Sequence, residues 1–594
     1  MHGPLTDRRL RSDERPTLAI VAAWLFVSCL LLGMTFSNIV SGVSPDPDDL
    51  LRLVQVRDLL GGQGWFDLHQ YRISPPEGVL MHWSRIVDVP LALLIVALTP
   101  IFGASVAETI TLAIVPLLLL GMFMAVVGRL AWRFFGTEGA AFACLSLGLY
   151  PLVLMQIQPM RIDHHAYQIL ALLVAVWALS WRSMKHSGIV AGIALGTGLS
   201  VSIELLPMTA VIGLVFFFRW MRDARDRFGL VAFLNALAAS MTVLFLLTRG
   251  IGDLASHCDV ITPSHLGFFI LAALSTTLIA SKPAIAPLKA AAALAITGAV
   301  GLALFAAASP VCVGSPFGNL DPLVKEHWYL NVFEGRPIWV YPWSFWVPQI
   351  LQVVIALGAS AALVLTNKAW LRVWWAEYTF ILLAAIIGGV VTTRSLAFAG
   401  AIAAIPLGWL AMRLLGWWTG SRKIAVKIVG PVAIAFLLLP SLFVQASEVG
   451  KIGEDGSDDD TAAAGTETSC NLHETLPELN ALPPALIFAP IDIGPDLLLR
   501  THHSVVATGH HRAQAGMHDI IATFMGGPED AQRTVAAHRA EYVVFCKNLP
   551  EPQLYEKQNE DGLAARLRAD DTPNWLTPMP QYSSELLKVY RVAN

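Results

Sequence analysis

Long apolar stretches separated by short polar segments make up most of the chain up to about residue 445. A helix that crosses a membrane needs roughly 20 mostly apolar residues, and the pattern predicts about thirteen such helices. They are expected at residues 17–41, 105–128, 137–156, 166–181, 187–203, 206–218, 229–248, 265–281, 288–308, 346–366, 375–393, 396–415 and 424–445. The sequence therefore predicts a polytopic α-helical membrane protein.

Clusters of arginine and lysine beside these stretches predict the orientation, because basic loops stay in the cytoplasm. The N-terminus is then inside and the C-terminus outside, in a bacterial inner (plasma) membrane whose outer face is the periplasm. The apolar segment 89–102 is short and contains Pro90 and Pro100. We therefore expect it to lie on the outer face, or to dip into it, without crossing the membrane.

The same pattern divides the chain into two domains. Residues 1–445 form the predicted transmembrane domain, with large external loops at 43–104 and 309–345. A Gly- and Asp-rich tether at 450–468 opens the remaining segment, 446–594, which is predicted to be a periplasmic mixed α/β domain. Its strand-like runs are residues 485–489, 542–546 and 587–592.

Composition narrows the possible functions. Hydrophobic residues make up 55% of the chain and charged residues 14%, as expected for a membrane protein. The net charge of −4 provides no basic surface for a nucleic acid, so that class of partner is excluded. Cys470 and Cys546 lie in the predicted external domain, where an oxidising compartment could join them, although free thiols are an equal alternative.

Two acidic clusters stand where predicted membrane helices should meet water. Asp46, Asp48 and Asp49 follow the first apolar stretch, and Asp163 and His165 lie between the third and fourth. The first cluster could simply cap a helix, and the second could lie at the interface as ordinary charged groups. If both are external, two carboxylates and an imidazole can hold one divalent cation, Mn²⁺ or Mg²⁺, and the imidazole favours Mn²⁺.

These segments resemble a known family. Residues 46–57 with Leu59-Leu60, then Pro75-Pro76-Glu77-Gly78 and His82-Trp83, are similar to the first external loop of oligosaccharyltransferase catalytic subunits. These enzymes are GT-C glycosyltransferases that use polyprenyl-linked sugar donors. Asp163-His164-His165 resembles the Asp-His-His motif of their archaeal members. The resemblance implies a GT-C fold in which Asp48 (or Asp46), Asp163 and His165 bind the metal, while Gln168 stands where the family's longer motif ends in Glu.

Two further positions fit the resemblance. Glu334, in Val332-Phe333-Glu334-Gly335-Arg336-Pro337, matches a Glu that reaches the metal and the acceptor nucleophile. Arg394, in Arg394-Ser395-Leu396-Ala397-Phe398, matches an Arg that grips the donor diphosphate. Carboxylates accept protons and guanidinium groups bind phosphate, so both assignments are chemically sound. An ordinary loop acid and an interfacial arginine are the alternatives.

The external domain departs from the family at its acceptor motif. Oligosaccharyltransferases carry Trp-Trp-Asp-Tyr-Gly, which recognises the Ser or Thr of an Asn-x-Ser/Thr acceptor, whereas this chain reads Pro490-Ile491-Asp492-Ile493-Gly494. We therefore expect an acceptor other than that sequon. Candidates for the acceptor side of the cleft are Asp492, His510, His511 and Arg512; the last three could instead bind donor phosphates, and a zinc site is a further alternative.

The sequence thus predicts a metal-dependent inverting glycosyltransferase with Asp48, Asp46 and Glu334 as catalytic candidates. Its partners would be a polyprenyl-linked sugar donor, membrane lipid, and a glycan, lipid or protein acceptor. The alternatives are a membrane transporter or flippase for a lipid-linked glycan of the envelope, and a non-catalytic subunit of envelope assembly.

Overall fold

The computed structural model describes residues 15–282, 285–314, 317, 319–441, 443 and 470–593. The expected tether at 450–468 lies outside the described residues, as do the first basic residues and the predicted domain boundary at 445–446. In the remainder of the chain, helices dominate the first part and a mixed sheet forms the last.

The helices of the first part follow one another with short connections. In chain order they are α1 (Thr17–Met34), α2 (Phe36–Ser41), α3 (Pro47–Leu60), α4 (Arg85–Phe102), α5 (Ala104–Gly148), α6 (Pro151–Leu154), α7 (His165–Leu179), α8 (Met184–Val201), α9 (Leu206–Arg222), α10 (Arg227–Thr248), α11 (Pro263–Ala280), α12 (Pro287–Ala308), α13 (Pro322–His327), α14 (Trp343–Thr366), α15 (Ala369–Val391), α16 (Leu396–Gly420) and α17 (Ile424–Leu438).

Each predicted span overlaps one of these helices, although the end of the span 424–445 lies outside the described residues. Within the described ranges, 10 helices are long and apolar enough to cross a membrane, and α4, which was expected not to cross, is one of them; α7 and α17 are shorter apolar helices. The predicted spans 105–128 and 137–156 are joined in α5, whose backbone breaks at Gly136 with φ 75° and ψ −168°. Glycine adopts such a conformation without steric cost, so the break separates two nearly continuous helices.

Helix α4 is longer than the sequence indicated. It begins at Arg85, after Ser84 accepts the backbone N–H of Ile86, and runs through Pro90 and Pro100 without ending. The expectation of a short apolar segment at 89–102 was therefore wrong about its length. The added first turn is polar in sequence but buried, because Arg85 and Asp88 are both fully enclosed.

The start of α4 and the start of α5 both contact α3. Near the start of α4, Asp88 lies 3.0 Å from Arg52 of α3. Just after its end, Glu108 of α5 receives two bonds, at 2.9 and 2.6 Å, from Arg57 of the same helix. Because α3 is only 14 residues long, the chain enters and leaves α4 within a short distance of it.

The C-terminal residues form the predicted mixed α/β unit. Its strands are β3 (Leu486–Phe488), β4 (Ser504–Val505), β5 (Tyr542–Cys546), β6 (Leu576–Pro578) and β7 (Leu587–Val592), and β1 (His69–Gln70) and β2 (Val79–Leu80) form a hairpin in the first loop. The sheet order is β4-β3-β5-β7-β6, in which β3 pairs parallel with β4 and β5 while β7 pairs antiparallel with β5 and β6. All three predicted strand runs are present.

Two disulfides join segments that lie far apart in the described chain. Cys470 is bonded to Cys546, one of the two possibilities that the sequence left open, and Cys258 is bonded to Cys312. The second bond joins the segment after α10 to the one after α12 and was not predicted.

The first loop is bound to the edge of the C-terminal sheet. Ser74 donates its backbone N–H to the carbonyl of Val505 at 2.9 Å, and Val505 donates to the carbonyl of Arg72 at 2.8 Å. The Arg72 guanidinium also donates to the carbonyls of Leu498 and Thr501, at 2.5 and 2.8 Å. Main-chain pairing at a sheet edge fixes register as well as contact, so the loop and the domain are held in one arrangement.

Candidate active site

The first acidic cluster lies at the start of α3. Asp46 is the N-cap: its Oδ1 accepts the backbone N–H of Asp48 at 2.9 Å, which satisfies one of the free N–H groups at a helix start. Its Oδ2 lies 2.6 Å from Nη1 of Arg161. Pro47 follows in the first turn, where its missing N–H costs nothing. Asp46 therefore has both oxygens engaged, one in the helix cap and the other in the ion pair with Arg161.

Asp49 joins the first cluster to the second. Its side chain is buried, and its Oδ1 accepts the backbone N–H groups of Ile162 at 2.8 Å and of Asp163 at 2.9 Å. The Ser44 hydroxyl donates to its Oδ2 at 3.1 Å. Two clusters that stand 114 residues apart in the sequence are thus in direct contact.

Asp48 is the third acid of the first cluster. Its carboxylate makes no hydrogen bond or ion pair with any residue that the structure describes. Burial, and after it the charges of Asp46 and Asp163, raise the pKa of Asp48 well above its usual range. A nearby cation would favour the ionised form of such a carboxylate.

The two oxygens of Asp163 differ in their contacts. Oδ1 accepts the backbone N–H of His164 at 2.6 Å and lies 2.5 Å from Nδ1 of the same residue. Oδ2 is buried, has no hydrogen-bond partner in the described part of the chain, and lies 3.3 Å from Nε2 of His165. Burial raises the pKa of Asp163, but His164 and His165 outweigh it and hold the pKa well below its usual range.

These atoms fit a divalent cation. Asp163, His164 and His165 offer ligand atoms that lie within 4.8 Å of one another, and Oδ2 of Asp163 is a buried acceptor without a donor. Buried polar atoms of folded proteins nearly always have a partner. Asp48 is not one of these three residues, but its charge interacts with that of Asp163, and it would add a second carboxylate to the mixed carboxylate and imidazole ligands that manganese and zinc accept.

Glu334 reaches the same cluster from the loop between α12 and α14. Its Oε1 accepts from Nη2 of Arg161 at 3.0 Å and from Nε2 of Gln156 at 3.1 Å. Its Oε2 lies 3.5 Å from Nε2 of His165. Burial raises the pKa of Glu334, although Arg161 opposes that shift. Oε1 is therefore held by two donors, whereas Oε2 faces the His165 ring.

Arg394 borders a small cavity next to His165 that is open to solvent. Its guanidinium forms an ion pair with Glu204, whose other oxygen lies 3.8 Å from Nδ1 of His165. Gln168 lines the same cavity and is almost fully buried, with its side-chain N–H groups unbonded among the described residues. The cavity thus has hydrogen-bond donors on one side and the acidic cluster next to it.

The C-terminal domain brings Asp492 toward the cluster. Asp492 retains an exposed surface, yet the surrounding protein and the charge of Asp46 raise its pKa to about 6. Behind it, the carboxyl group of Glu551 accepts the backbone N–H groups of Ile491 at 2.7 Å and of Asp492 at 2.8 Å, and the Tyr555 hydroxyl at 2.6 Å. Glu551 therefore fixes the turn that presents Asp492.

The other candidates of that domain are engaged elsewhere. His511 Nε2 lies 2.7 Å from Oδ2 of Asp259, and Arg512 donates to both oxygens of Asp259 at 2.9 and 2.8 Å. His510 Nε2 lies 2.8 Å from Nδ1 of His82. The polar atoms of His511 and Arg512 thus hold the domain against the loop after α10.

With this geometry established, the chain can be compared with known proteins. No family model matches it, and no curated protein matches it significantly. Among solved structures, the archaeal oligosaccharyltransferase AglB from Archaeoglobus fulgidus, in complex with an inhibitory peptide and a dolichol-phosphate, superposes with a TM-score of 0.64 at 14% identity, over 98% of this chain and 74% of that one.

Two other structures of the Archaeoglobus fulgidus enzyme agree. The form tethered to an acceptor peptide containing the NVT sequon gives a TM-score of 0.61 at 12% identity, over 97% of this chain and 74% of that one. The complex with Zn and sulfate gives 0.61 at 13% identity, over 97% and 73%. The chain has the oligosaccharyltransferase fold. The GT-C architecture that the sequence resemblance implied is confirmed, and with it a multi-pass membrane protein.

Several residues of the site carried little or no signal in the sequence. Glu204 follows α8 as an isolated acid, and only the fold shows that it pairs with Arg394. Gln156 lies at the end of an apolar stretch, and nothing in the local sequence predicts that its amide contacts Glu334. Arg161 stands two residues before Asp163, a position that alone does not reveal its pairing with Glu334. All three residues belong to the site through contacts with segments that are distant in the sequence, and such contacts leave no local pattern.

The pair formed by Asp492 and Glu551 predicts a pH-dependent stability. Burial and the neighbouring Asp492 raise the pKa of Glu551 to about 8, so the folded protein holds this proton more tightly than the unfolded chain. The stabilisation is complete below the usual pKa of a Glu, roughly 4.3, and is lost as the pH rises toward 8. We expect Glu551→Gln to flatten the decline of Tm between pH 5 and pH 8, measured on detergent-solubilised protein. Equal slopes for this variant, wild type and the exposed-site control Glu585→Gln would contradict the assignment.

Proposed function

We propose that the chain is a metal-dependent inverting glycosyltransferase that moves a sugar or oligosaccharide from a polyprenyl phosphate or diphosphate to an acceptor at the outer membrane face. One observation carries the proposal. The buried Oδ2 of Asp163 has no hydrogen-bond partner among the described residues and lies 3.3 Å from Nε2 of His165. The same nitrogen lies 3.5 Å from Glu334, and His165 lines a cavity bordered by Arg394.

Asp48, Asp163 and His165 are the residues that would hold Mn²⁺ or Mg²⁺ in this proposal. A bound cation would stabilise the negative charge that develops on the departing phosphate. Asp49 supports the ligands without joining them, because its Oδ1 holds the backbone N–H groups of Ile162 and Asp163. The observed hydrogen bonds of Asp46 make it a helix cap, so they favour Asp48 over Asp46 as the ligand.

Arg394 would bind the donor phosphate. Its planar guanidinium suits phosphate oxygens, and its position beside the cavity supports this role. The ion pair with Glu204 would hold the guanidinium beside the cavity and neutralise its positive charge until a phosphate binds. A lipid phosphate entering there would compete with Glu204 for the same donors.

Glu334 would orient or deprotonate the acceptor. Arg161 and Gln156 engage one of its oxygens, which leaves the other available to accept a hydrogen bond from the nucleophile. Burial raises its pKa, and a base is most effective when its pKa approaches the working pH. Direct attack from the side opposite the leaving phosphate would invert the anomeric carbon.

The contacts of α4 support an external site. If α4 crossed the bilayer, Glu108, six residues beyond its end, would lie near the opposite face, about 30 Å from α3. Instead Glu108 bonds to Arg57 of α3. A non-crossing α4 keeps thirteen spans, an N-terminus inside and a C-terminus outside, with the site facing the periplasm of a bacterial inner membrane.

The acceptor motif supports a substrate other than an Asn-x-Ser/Thr sequon. Ile491 and Ile493 are buried on either side of Asp492, so the segment offers a carboxylate but none of the family's tryptophans. A glycan, a lipid or a different protein segment remains as the proposed acceptor.

Gene deletion followed by mass spectrometry of envelope glycans, lipids and glycoproteins tests the proposal. We expect one sugar to disappear from a single acceptor class, and the wild-type gene to restore it while Asp163→Asn does not. An unchanged profile, or full restoration by Asp163→Asn, would contradict the proposal. Release of polyprenyl phosphate by the purified chain, abolished by chelation, separates transfer from transport of the lipid.

A further inference from the structure

Three histidines meet between the first loop and the C-terminal domain. His82 follows β2, and His510 and His511 precede the helix Gln514–Met525. Nδ1 of His82 lies 2.8 Å from Nε2 of His510, and all three residues offer ligand atoms within 4.8 Å of one another. His510 is only 2% exposed, and its Nδ1 is buried with no hydrogen-bond partner in the described chain.

The surroundings hold these rings in place. Asp259 lies 2.7 Å from Nε2 of His511. Nδ1 is therefore the His511 ring nitrogen that would bind a metal. A carboxylate behind an imidazole fixes its tautomer and orientation in many metal sites. Arg512 binds both oxygens of Asp259 and also donates to the carbonyl of Leu80, two residues before His82, at 3.1 Å. Cys258, next to Asp259, is tied by its disulfide.

The nearby charges are already paired. Arg512 is neutralised by Asp259, and Arg249, which donates to the carbonyl of His82 at 3.0 Å, is paired with Asp253 at 2.7 Å. No unpaired positive charge among these neighbours would therefore repel a cation bound by the three imidazoles.

We propose that His82, His510 and His511 form a second cation site, selective for Zn²⁺, separate from the carboxylate-rich set of Asp163 and His165. Nitrogen ligands favour zinc over magnesium, and three protein ligands leave a fourth position for water or a phosphate oxygen. The ion would join two segments 428 residues apart. It would also lie beside the proposed transfer site, because the His82 ring is 6.2 Å from that of His164.

The test uses the full chain, purified in detergent, stripped with a chelator, reloaded with Zn²⁺ in excess Mg²⁺ and desalted. Zinc content is measured by mass spectrometry, and Tm is recorded with and without zinc. We expect His82→Gln and His511→Gln each to lose about one equivalent of zinc relative to wild type, and zinc to raise Tm in wild type but not in these variants. His510 is left unchanged because substitution of a buried side chain would disturb folding as well as zinc binding.

Two control variants make the result specific. His502→Gln removes an exposed histidine of the same domain and should leave zinc content unchanged, and Asp163→Asn should leave the equivalent held by the three histidines. Zinc content that is equal in wild type, His82→Gln and His511→Gln would overturn the proposal, as would zinc removed entirely by Asp163→Asn. Because no donor or acceptor is needed, this result does not depend on whether the proposed transfer reaction is correct.

Discussion

Asp163→Asn and Asp48→Asn are expected to lower sugar transfer on the order of 10²–10³-fold, the loss typical of removing one group that stabilises developing charge. Asn at 163 keeps an oxygen for the bonds that Oδ1 receives from His164. It replaces Oδ2, the oxygen without a hydrogen-bond partner among the described residues, by an amide nitrogen and removes the negative charge. The fold should survive Asp48→Asn, because that change removes repulsion from Asp46 and Asp163, and it should survive Asp163→Asn, because the amide oxygen keeps the backbone hydrogen bond from His164. Transfer is measured as release of polyprenyl phosphate, and folding as Tm.

Asp49→Asn provides the matched comparison within the same cluster. Since Asp49 holds two backbone N–H groups, its substitution should lower Tm and transfer together, whereas the other two variants separate these quantities. Asp530→Ala, at an exposed ion pair of the C-terminal domain, should change neither. Transfer by Asp163→Asn and Asp48→Asn at the wild-type rate would remove the metal from the mechanism.

The helices could be predicted from the sequence because their signal is local. About 20 apolar residues in a row have few alternatives to a buried or membrane helix, and every predicted span overlaps a helix in the part of the chain that the structure describes. The start of α4 could not be predicted because its first turn is polar. Arg85 and Asp88 are buried through partners on α3 and in the first loop. Hydrophobicity alone gives no sign of such a turn.

The candidate site was predictable only in part, for a similar reason. Asp163 and His165 stand close together in the sequence, and their chemistry is apparent there. Asp48 could not be told apart from Asp46 until the structure showed which carboxylate caps α3 and which remains unbonded. The pairing of Glu204 with Arg394 joins the turns that precede α9 and α16, and no local sequence pattern predicts that contact.

Asp88→Ala is expected to destabilise the protein by about 3–5 kcal/mol, the usual result of removing one partner from a buried ion pair. Asp88 lies 3.0 Å from Arg52 and 3.2 Å from Arg85, all three side chains are fully buried, and Gln55 donates to Asp88 at 2.6 Å. Without the carboxylate, Arg85 would remain enclosed without a counter-charge, and Arg52 would keep only Asp163. We expect low yield and a markedly lower Tm in detergent.

Arg52→Met should behave differently, because it leaves Asp88 paired with Arg85. Arg52 also lies 3.5 Å from Oδ1 of Asp163, so its loss frees that carboxylate to rotate, and transfer should fall by roughly 10–100-fold, as for outer partners of metal ligands. Arg57→Met, which breaks the exposed pair with Glu108 on the same helix, should cost no more than about 1 kcal/mol. A wild-type Tm for Asp88→Ala would show that the buried pair does not support the fold, and unchanged transfer by Arg52→Met would show that Asp163 is positioned by its other contacts.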